Sequence, residues 1–371
     1  MIGLRVLHIA DSLAAAQAGD VLPMMSWLRA NDHQVALAAP GEGSLDGITC
    51  IPIQASRPRW WLGGRHELLA RVGAWNPDLI HLHGLGSLPA ARTLARRLHL
   101  PVVASVAHLA DAPRVRGLQD RRVSWVLVPT ENHRASAIAA FGLGRDRVSI
   151  LPYAVDVAAC AARAPRPAGG PLVVGMAGPY DETAGAGDLL AAMVALRRDL
   201  DVRLVVAGGG PGLAEALSEA GLVDPAWIRD LGEVPAAALI AASDVVVHAP
   251  RTDRSAALVV EALACGRPVI ASAVGGMAEL VADGESGALV AAGDPSALAG
   301  AIVALARDPD LRDRRSAAAR LAAARFDIAV VGPAAVELYH AAICTAQSAG
   351  AKNEGSRAYR RRVTDSKIGV R

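Results

Sequence analysis

Residues 243–293 read SDVVVHAPRTDRSAALVVEALACGRPVIASAVGGMAELVADGESGALVAAG, and this stretch decides the fold. An apolar run over 245–250 ends in a polar loop over 251–255. Ser255 stands where it would cap a helix over about 256–265, and Cys265-Gly266-Arg267-Pro268 would end that helix and start the next strand. That strand runs to Gly275-Gly276, and a helix opens near Met277. Short strands apolar on both faces, alternating with helices, are the pattern of a covered parallel sheet. A Gly pair opening a helix presents free N–H groups and a positive dipole end. Gly275 and Gly276 therefore read as a candidate phosphate cradle, with a plain tight turn as the simpler alternative. Asp253 and Glu261 stand eight residues apart. The spacing is expected to put both near a strand's carboxyl end, facing a cleft. Taken alone, such a pair is more often a solvated loop Asp and a surface Glu.

The same alternation extends outward. Apolar runs fall at 4–10, 34–39, 48–53, 79–83, 101–106, 125–129 and 148–152. Residues 161–171 (AARAPRPAGGP) interrupt it with Pro, Gly and small residues, as a linker would. Runs then resume at 172–178, 202–209, 228–234, 245–250, 268–273 and 287–293. The expected fold class is α/β, with two doubly wound Rossmann-like domains facing a central cleft. Their expected spans are 1–165 and 166–330. A helix over 334–347, after Gly332-Pro333, would complete the first domain. Residues 348–371 lack apolar periodicity and are expected to be a disordered basic tail.

Composition narrows the classes. The 371 residues are 52% hydrophobic and 20% charged, which excludes a disordered chain. Aromatics are only 3%, so Ala, Val, Leu and Ile must fill the cores. The formal charge of +2 argues against a nucleic-acid binder. Cys50, Cys160, Cys265 and Cys344 are too scattered for a C-x-x-C pair, and read as buried thiols in a reducing compartment. No apolar run is read as approaching the roughly 18 residues of a membrane helix. Arg5, His8 and Asp11 break the opening MIGLRVLHIAD, which reads as a first strand and not a signal peptide. A cytoplasmic protein is expected, with peripheral contact at the inner face of the membrane left open.

The 243–293 stretch resembles the retaining glycosyltransferases of family 4, which have the GT-B fold. Their Glu-x7-Glu motif is matched by Asp253 and Glu261. The run that follows it in the family is matched by Ala264, Gly266, Pro268, Val269, Ile270, Ala271, Ser272, Gly275, Gly276 and Glu279. Weaker similarity lies in PDLIHLHGLGSL (77–88), DRVSILPYAVDV (146–157), VRLVVAGGGPG (202–212) and LGEVP (231–235). The resemblance implies that the second domain binds a nucleotide-diphosphate sugar and the first domain the acceptor. Asp253 would hold the sugar at the reacting centre, Glu261 the ribose hydroxyls, and Gly275-Gly276 would lie beside the diphosphate. It implies no metal and no cofactor beyond the nucleotide sugar as substrate. The acceptor would be a glycan, a lipid-linked molecule or a small molecule, and no nucleic acid is expected as partner.

The sequence departs from that pattern where charge is needed. Counting back from Asp188-Leu189-Leu190, the family's diphosphate-binding Arg and Lys fall at Pro179 and Ala184, just after Gly178. The first-domain Gly-Gly loop is Ala15-Ala16 here, and Cβ atoms there would crowd a ligand. The family's Val-His falls at Val106-Ala107, with His108 one place late. Arg251 and Arg254 flank Asp253 and, with Ser255, are candidates to supply the replacement contacts. On the acceptor side, His81 and His83 are expected to face opposite ways, which would keep them from sharing a metal, with His83 toward the cleft. ASRPRWWLGGRH (55–66) mixes Arg57, Arg59 and Arg65 with Trp60-Trp61, and is a candidate membrane-interface patch. The function expected is transfer of a sugar from a nucleotide-diphosphate sugar with retention. The alternative is an inactive GT-B protein acting as a partner or regulator in polysaccharide biosynthesis.

Overall fold

The computed structural model describes residues 3–13, 21–41, 45, 47–53, 60–107, 118–120, 122–163, 170–178, 180–208, 211–219 and 227–350. Two parallel sheets organise them. The first comprises β1 (Arg5–Ala10), β2 (Gln34–Pro40), β3 (Thr49–Ile53), β4 (Leu79–His83), β5 (Val102–Ser105), β6 (Val123–Val128) and β7 (Val148–Ile150). Its spatial order is β3-β2-β1-β4-β5-β6-β7. The second comprises β8 (Leu172–Ala177), β9 (Val202–Ala207), β10 (Ile228–Asp230), β11 (Val245–His248), β12 (Val269–Ser272) and β13 (Gly287–Val290). Its order is β10-β9-β8-β11-β12-β13. Each strand coincides with an apolar run of the sequence. This is the double-wound α/β architecture expected, with its order reversing between β1 and β4 and again between β8 and β11.

Both faces of each sheet are buried, which is why the strands are apolar throughout. On the first sheet, Leu7, Ile9, Ile80 and Leu82 pack toward the helix Leu88–Leu98. On its other face, Val6, Leu79 and Val103 pack with the helices Val21–Ala30 and Ile328–Gly350.

The last helix begins at Ile328, six residues before the expected start, so Pro333 lies inside it. Pro333 forfeits one intrahelical N–H. The helix continues because Val331, Ala335, Tyr339 and Ala342, at helical spacing, dock on the first sheet. The chain thus leaves the first domain and returns to it at adjacent points. Val155 N–H donates to Phe326 O at 2.9 Å, and Ile328 N–H donates to Val155 O at 2.7 Å.

The expectation about apolar length is also corrected. Ile328–Gln347 has mean hydropathy 1.5 and is long and apolar enough to cross a membrane, but 44% of it is buried against the protein. Residues 55–59 of the Arg/Trp segment lie outside the described residues, and the helix Trp60–Trp75 follows them. The expected tail lies outside them beyond Gly350.

Candidate functional site: the cleft at two switch points

In a doubly wound sheet the crevice for a ligand opens where the strand order reverses. In the second sheet the loops after β8 and β11 flank that crevice. Gly178 N–H donates to Ala207 O at 2.8 Å, and a Cβ on Gly178 would stand 2.6 Å from Gly208 O, so two backbones cross here. Pro179 lies outside the described residues. Asp181 caps the short turn Glu182–Ala184, its Oδ1 accepting from Ala184 N–H at 2.8 Å. Ala184 is buried in that turn. Gly185 has φ +72°, and a Cβ there would overlap Ala249 O, so the loop after β11 lies directly against it.

That closeness brings the arginines of one loop to the acids of the other. Arg251 makes a bidentate pair with Asp188, with Nε to Oδ2 at 2.9 Å and Nη2 to Oδ1 at 2.7 Å. Its Nη1 reaches Glu182 at 3.4 Å, and Arg254 Nη2 reaches Asp181 at 3.1 Å. Asp188 is buried in the first turn of the helix Ala186–Leu196, where the helix dipole favours a negative charge. Its bond to Arg251 raises the guanidinium's pKa further. Thr183, Ala184 N–H and Arg254 hold the Asp181 carboxyl below the usual range. The two cations flanking Asp253 are therefore turned toward the acidic loop after β8.

Asp253 itself faces the first domain. His133 Nε2 lies 3.1 Å from its Oδ2 and 3.2 Å from its Oδ1. His133 Nδ1 lies 2.6 Å from Thr130 Oγ1. Nε2–H donates to Asp253 and the Thr130 hydroxyl lies against Nδ1, roles assigned from the network. Thr130 also caps the helix Glu131–Phe141, accepting from His133 N–H at 3.2 Å. The glycine pair fits around this group. A Cβ on Gly275, at φ +56°, would overlap Asp253 Oδ1, and one on Gly276 would overlap Thr130 Oγ1. The helix that follows, Met277–Leu280, is a single turn. Its Glu279 carboxylate accepts from Glu131 N–H and Asn132 N–H, both at 2.8 Å, so one domain caps a helix of the other.

Ser255 is not the cap of the next helix. The helix is Ala257–Ala264, its N-cap is Ala256, and no side chain caps it. Ala256 N–H donates instead to the Tyr153 hydroxyl at 3.1 Å. Glu261 is half-buried in this helix, and its charge acts on the thiols of Cys160 and Cys265. Cys265 Sγ–H donates to Cys160 O at 3.3 Å.

In the first domain the crevice lies between β1 and β4. Asp11, just after β1, accepts from Gly86 N–H at 3.1 Å and Ser87 N–H at 2.7 Å, tying the two strand ends together. The expectation that His81 and His83 face opposite ways is overturned. Residues two apart on a strand share a face. Their ring centroids are 4.0 Å apart, and His8 from β1 joins them, stacked on His83 at 5.1 Å. Ala15, Ala16 and His108 lie outside the described residues.

His133, Glu279 and His8 were not assigned roles by sequence reasoning. No spacing signal links His133 to Asp253, because their meeting depends on how two domains face each other.

Two facing double-wound domains, with Asp253 held over a glycine pair between them, have the GT-B architecture. The family description "Glycosyltransferase Family 4" matches residues 21–159, and "Glycosyl transferases group 1" matches residues 171–308. A phosphatidyl-myo-inositol mannosyltransferase of Mycobacterium leprae is 32% identical over 322 residues, covering 82% of this chain and 81% of the relative. A glycogen synthase of Mycobacterium tuberculosis is 27% identical over 301 residues, covering 76% and 72%. Among solved structures, Anabaena Alr3699/HepE in complex with UDP and glucose has a TM-score of 0.76 at 19% identity, covering 91% of this chain and 99% of its own. The chain belongs to glycosyltransferase family 4.

Proposed function

We propose that this glycosyltransferase takes a nucleotide-diphosphate sugar as donor and moves the sugar, with retention, to a hydroxyl of a glycan, lipid-linked or small-molecule acceptor. The observation that carries the reading is the placement of Asp253 over Gly275-Gly276 at the domain interface, backed by His133. The acceptor hydroxyl bonds to the anomeric carbon, the bond from that carbon to the diphosphate breaks with its electron pair going to the diphosphate oxygen, and the hydroxyl proton passes to the departing diphosphate. Asp253 orients the sugar and Glu261 accepts from the ribose hydroxyls. Gly275 and Gly276 allow the diphosphate to approach backbone N–H groups. Arg251 and Arg254 exchange Asp188 and Asp181 for the diphosphate and stabilise its developing charge. No metal takes part at the diphosphate in this reading, and the enzyme works in the cytoplasm, with peripheral membrane contact serving a lipid-linked acceptor.

One observation favours a second reading, an inactive partner or regulator in polysaccharide biosynthesis. The position of the family's Lys is the buried Ala184, and both nearby arginines are engaged by acids. Calorimetric titration with UDP, GDP and ADP separately decides between the two. Micromolar binding of one nucleotide, followed by acceptor-free hydrolysis of its sugar that Glu261→Ala abolishes, supports the transferase. No heat up to about 1 mM, weaker than about −4 kcal/mol, supports the inactive partner.

A further inference from the structure

The first-domain switch point carries a cluster of imidazoles, of which only His83 is a candidate for the acceptor side. β1 and β4 are neighbouring parallel strands, with His8 opposite His81 and Ala10 opposite His83. The two-residue period puts all three rings on one face. Their centroids are separated by 5.3, 5.1 and 4.0 Å. One nitrogen from each ring lies within 4.8 Å of the other two. His8 and His81 are 0% and 1% exposed, and His83, at the carboxyl end of β4, is half-buried.

Three polar rings in an apolar core require partners. His81 has two, with Nδ1 2.7 Å from the Tyr339 hydroxyl and Nε2 2.8 Å from Ser105 Oγ. His8 Nδ1 lies 2.8 Å from His83 Nε2. His8 Nε2 is buried and has no hydrogen-bond partner among the described residues. Burial lowers the pKa of all three rings, His83 to about 3. In the His8–His83 bond one ring's lone pair accepts the other's N–H, so that bond must open for both rings to face an ion.

We propose that His8, His81 and His83 form a site for one divalent ion of the zinc type, with a fourth position open on the side of His83. Three imidazoles without a carboxylate select zinc, cobalt or nickel over magnesium or calcium. Tetrahedral bonds of about 2.0–2.1 Å set neighbouring nitrogens about 3.3 Å apart, so no separation has to close by more than about 1.5 Å through ring rotation. The His8–His83 hydrogen bond opens, and His81 gives up one of its two partners to the ion while the other holds the ring. Tyr339 lies on the last helix and Ser105 ends β5, so whichever partner stays ties the ligands on β1 and β4 to a third element of the first domain. The three histidines lie on the first sheet and Asp253 and Gly275-Gly276 in the second domain, so metal binding is measured without the donor.

The experiment uses the full chain without an affinity tag, dialysed against a chelator and titrated with cobalt(II) and then zinc(II). One equivalent per chain, with the intense visible bands of four- or five-coordinate cobalt, is expected. His83→Gln should weaken binding at least about 100-fold, since even the loss of an outer partner commonly costs 10- to 100-fold. The metal-free melting temperature should change little, because His83 is at the strand end. His99→Asn, at a surface site with φ +57° that Asn tolerates, should leave binding unchanged. X-ray absorption of the zinc-loaded wild-type chain needs no variant, and should give a nitrogen/oxygen shell with imidazole scattering. No stoichiometric binding, equal binding by His83→Gln, or sulfur ligands from the cysteines would overturn the site and leave a hydrogen-bonded core cluster.

Discussion

Asp253 and His133 belong to different domains, and their side chains meet at 3.1 Å across the cleft. The imidazole is buried and bonded on its far side to Thr130, so it can hold the carboxylate in one orientation. Asp253→Asn should lower donor hydrolysis at least about 100-fold while leaving the melting temperature near wild type. A hydrogen bond to a charged group contributes about 1.5–3 kcal/mol, so His133→Gln should lower kcat by about 10- to 100-fold with a smaller change in KM. Steady-state kinetics on both variants checks this, and full activity of Asp253→Asn would remove Asp253 from the site.

Glu279 joins the domains at a second point by capping the helix Glu131–Phe141. Loss of a helix cap costs about 0.5–2 kcal/mol. Glu279→Ala should therefore shift the urea midpoint by a corresponding amount and make the cleft open more readily. Faster proteolysis near the crossings at Val155 and Asp327 is the second readout. Unchanged stability and unchanged proteolysis would mean that the cap does not hold the domains together.

Gly275 has φ +56° and no space for a side chain beside Asp253. Gly275→Ala should cost at least about 1 kcal/mol from the left-handed backbone alone. It should also displace Asp253 and reduce activity more than stability. Denaturant unfolding measured alongside kinetics separates the two effects.

Arg251 and Arg254 face acids in the structure and the diphosphate in the proposed reaction. Arg251→Ala/Arg254→Ala should weaken nucleotide binding by about two decades, the loss of two charge-assisted contacts. Arg251→Ala alone should also lower the melting temperature, because buried Asp188 loses its bidentate partner. Unchanged nucleotide affinity in the double variant would assign both arginines to structure only.

The buried histidines set an acid limit. His8, His81 and His83 have folded pKa values below the unfolded value of about 6.5, His83 near 3. Between these values the unfolded chain binds more protons than the folded one, so stability rises with pH. It is fully present above about pH 6.5 and is lost as pH falls toward about 3. His83→Gln should flatten that part of the unfolding profile, as measured by urea midpoints from pH 7 to pH 4.

Much of the fold is legible in the sequence because parallel strands buried on both faces leave unbroken apolar runs. Asp253, Gly275 and Gly276 are legible because they lie close together in one segment. The contacts of Asp253 with His133 and of Glu279 with Asn132 cross between domains, and no local period encodes them. His8 joins His81 and His83 only once the order of β1 and β4 is known and the two-residue period is applied correctly. Ser255 is not the cap because the helix starts one residue later than its spacing implies, with Ala256 at the N-cap position and the Ala256 N–H held by the Tyr153 hydroxyl.

The adjacent crossings at Val155 and Ile328 make the second domain an insertion within the first. On the ribosome, the first sheet is finished long before the helix that covers it is made. At about 5–20 residues per second, the stretch from 156 to 350 takes about 10–40 s to emerge. For that interval Leu4, Val6, Leu79 and Val103 lack their cover from Val331, Ala335 and Tyr339. The inserted domain has its own core and can fold first. The nascent first domain is thus the part that needs shielding during synthesis.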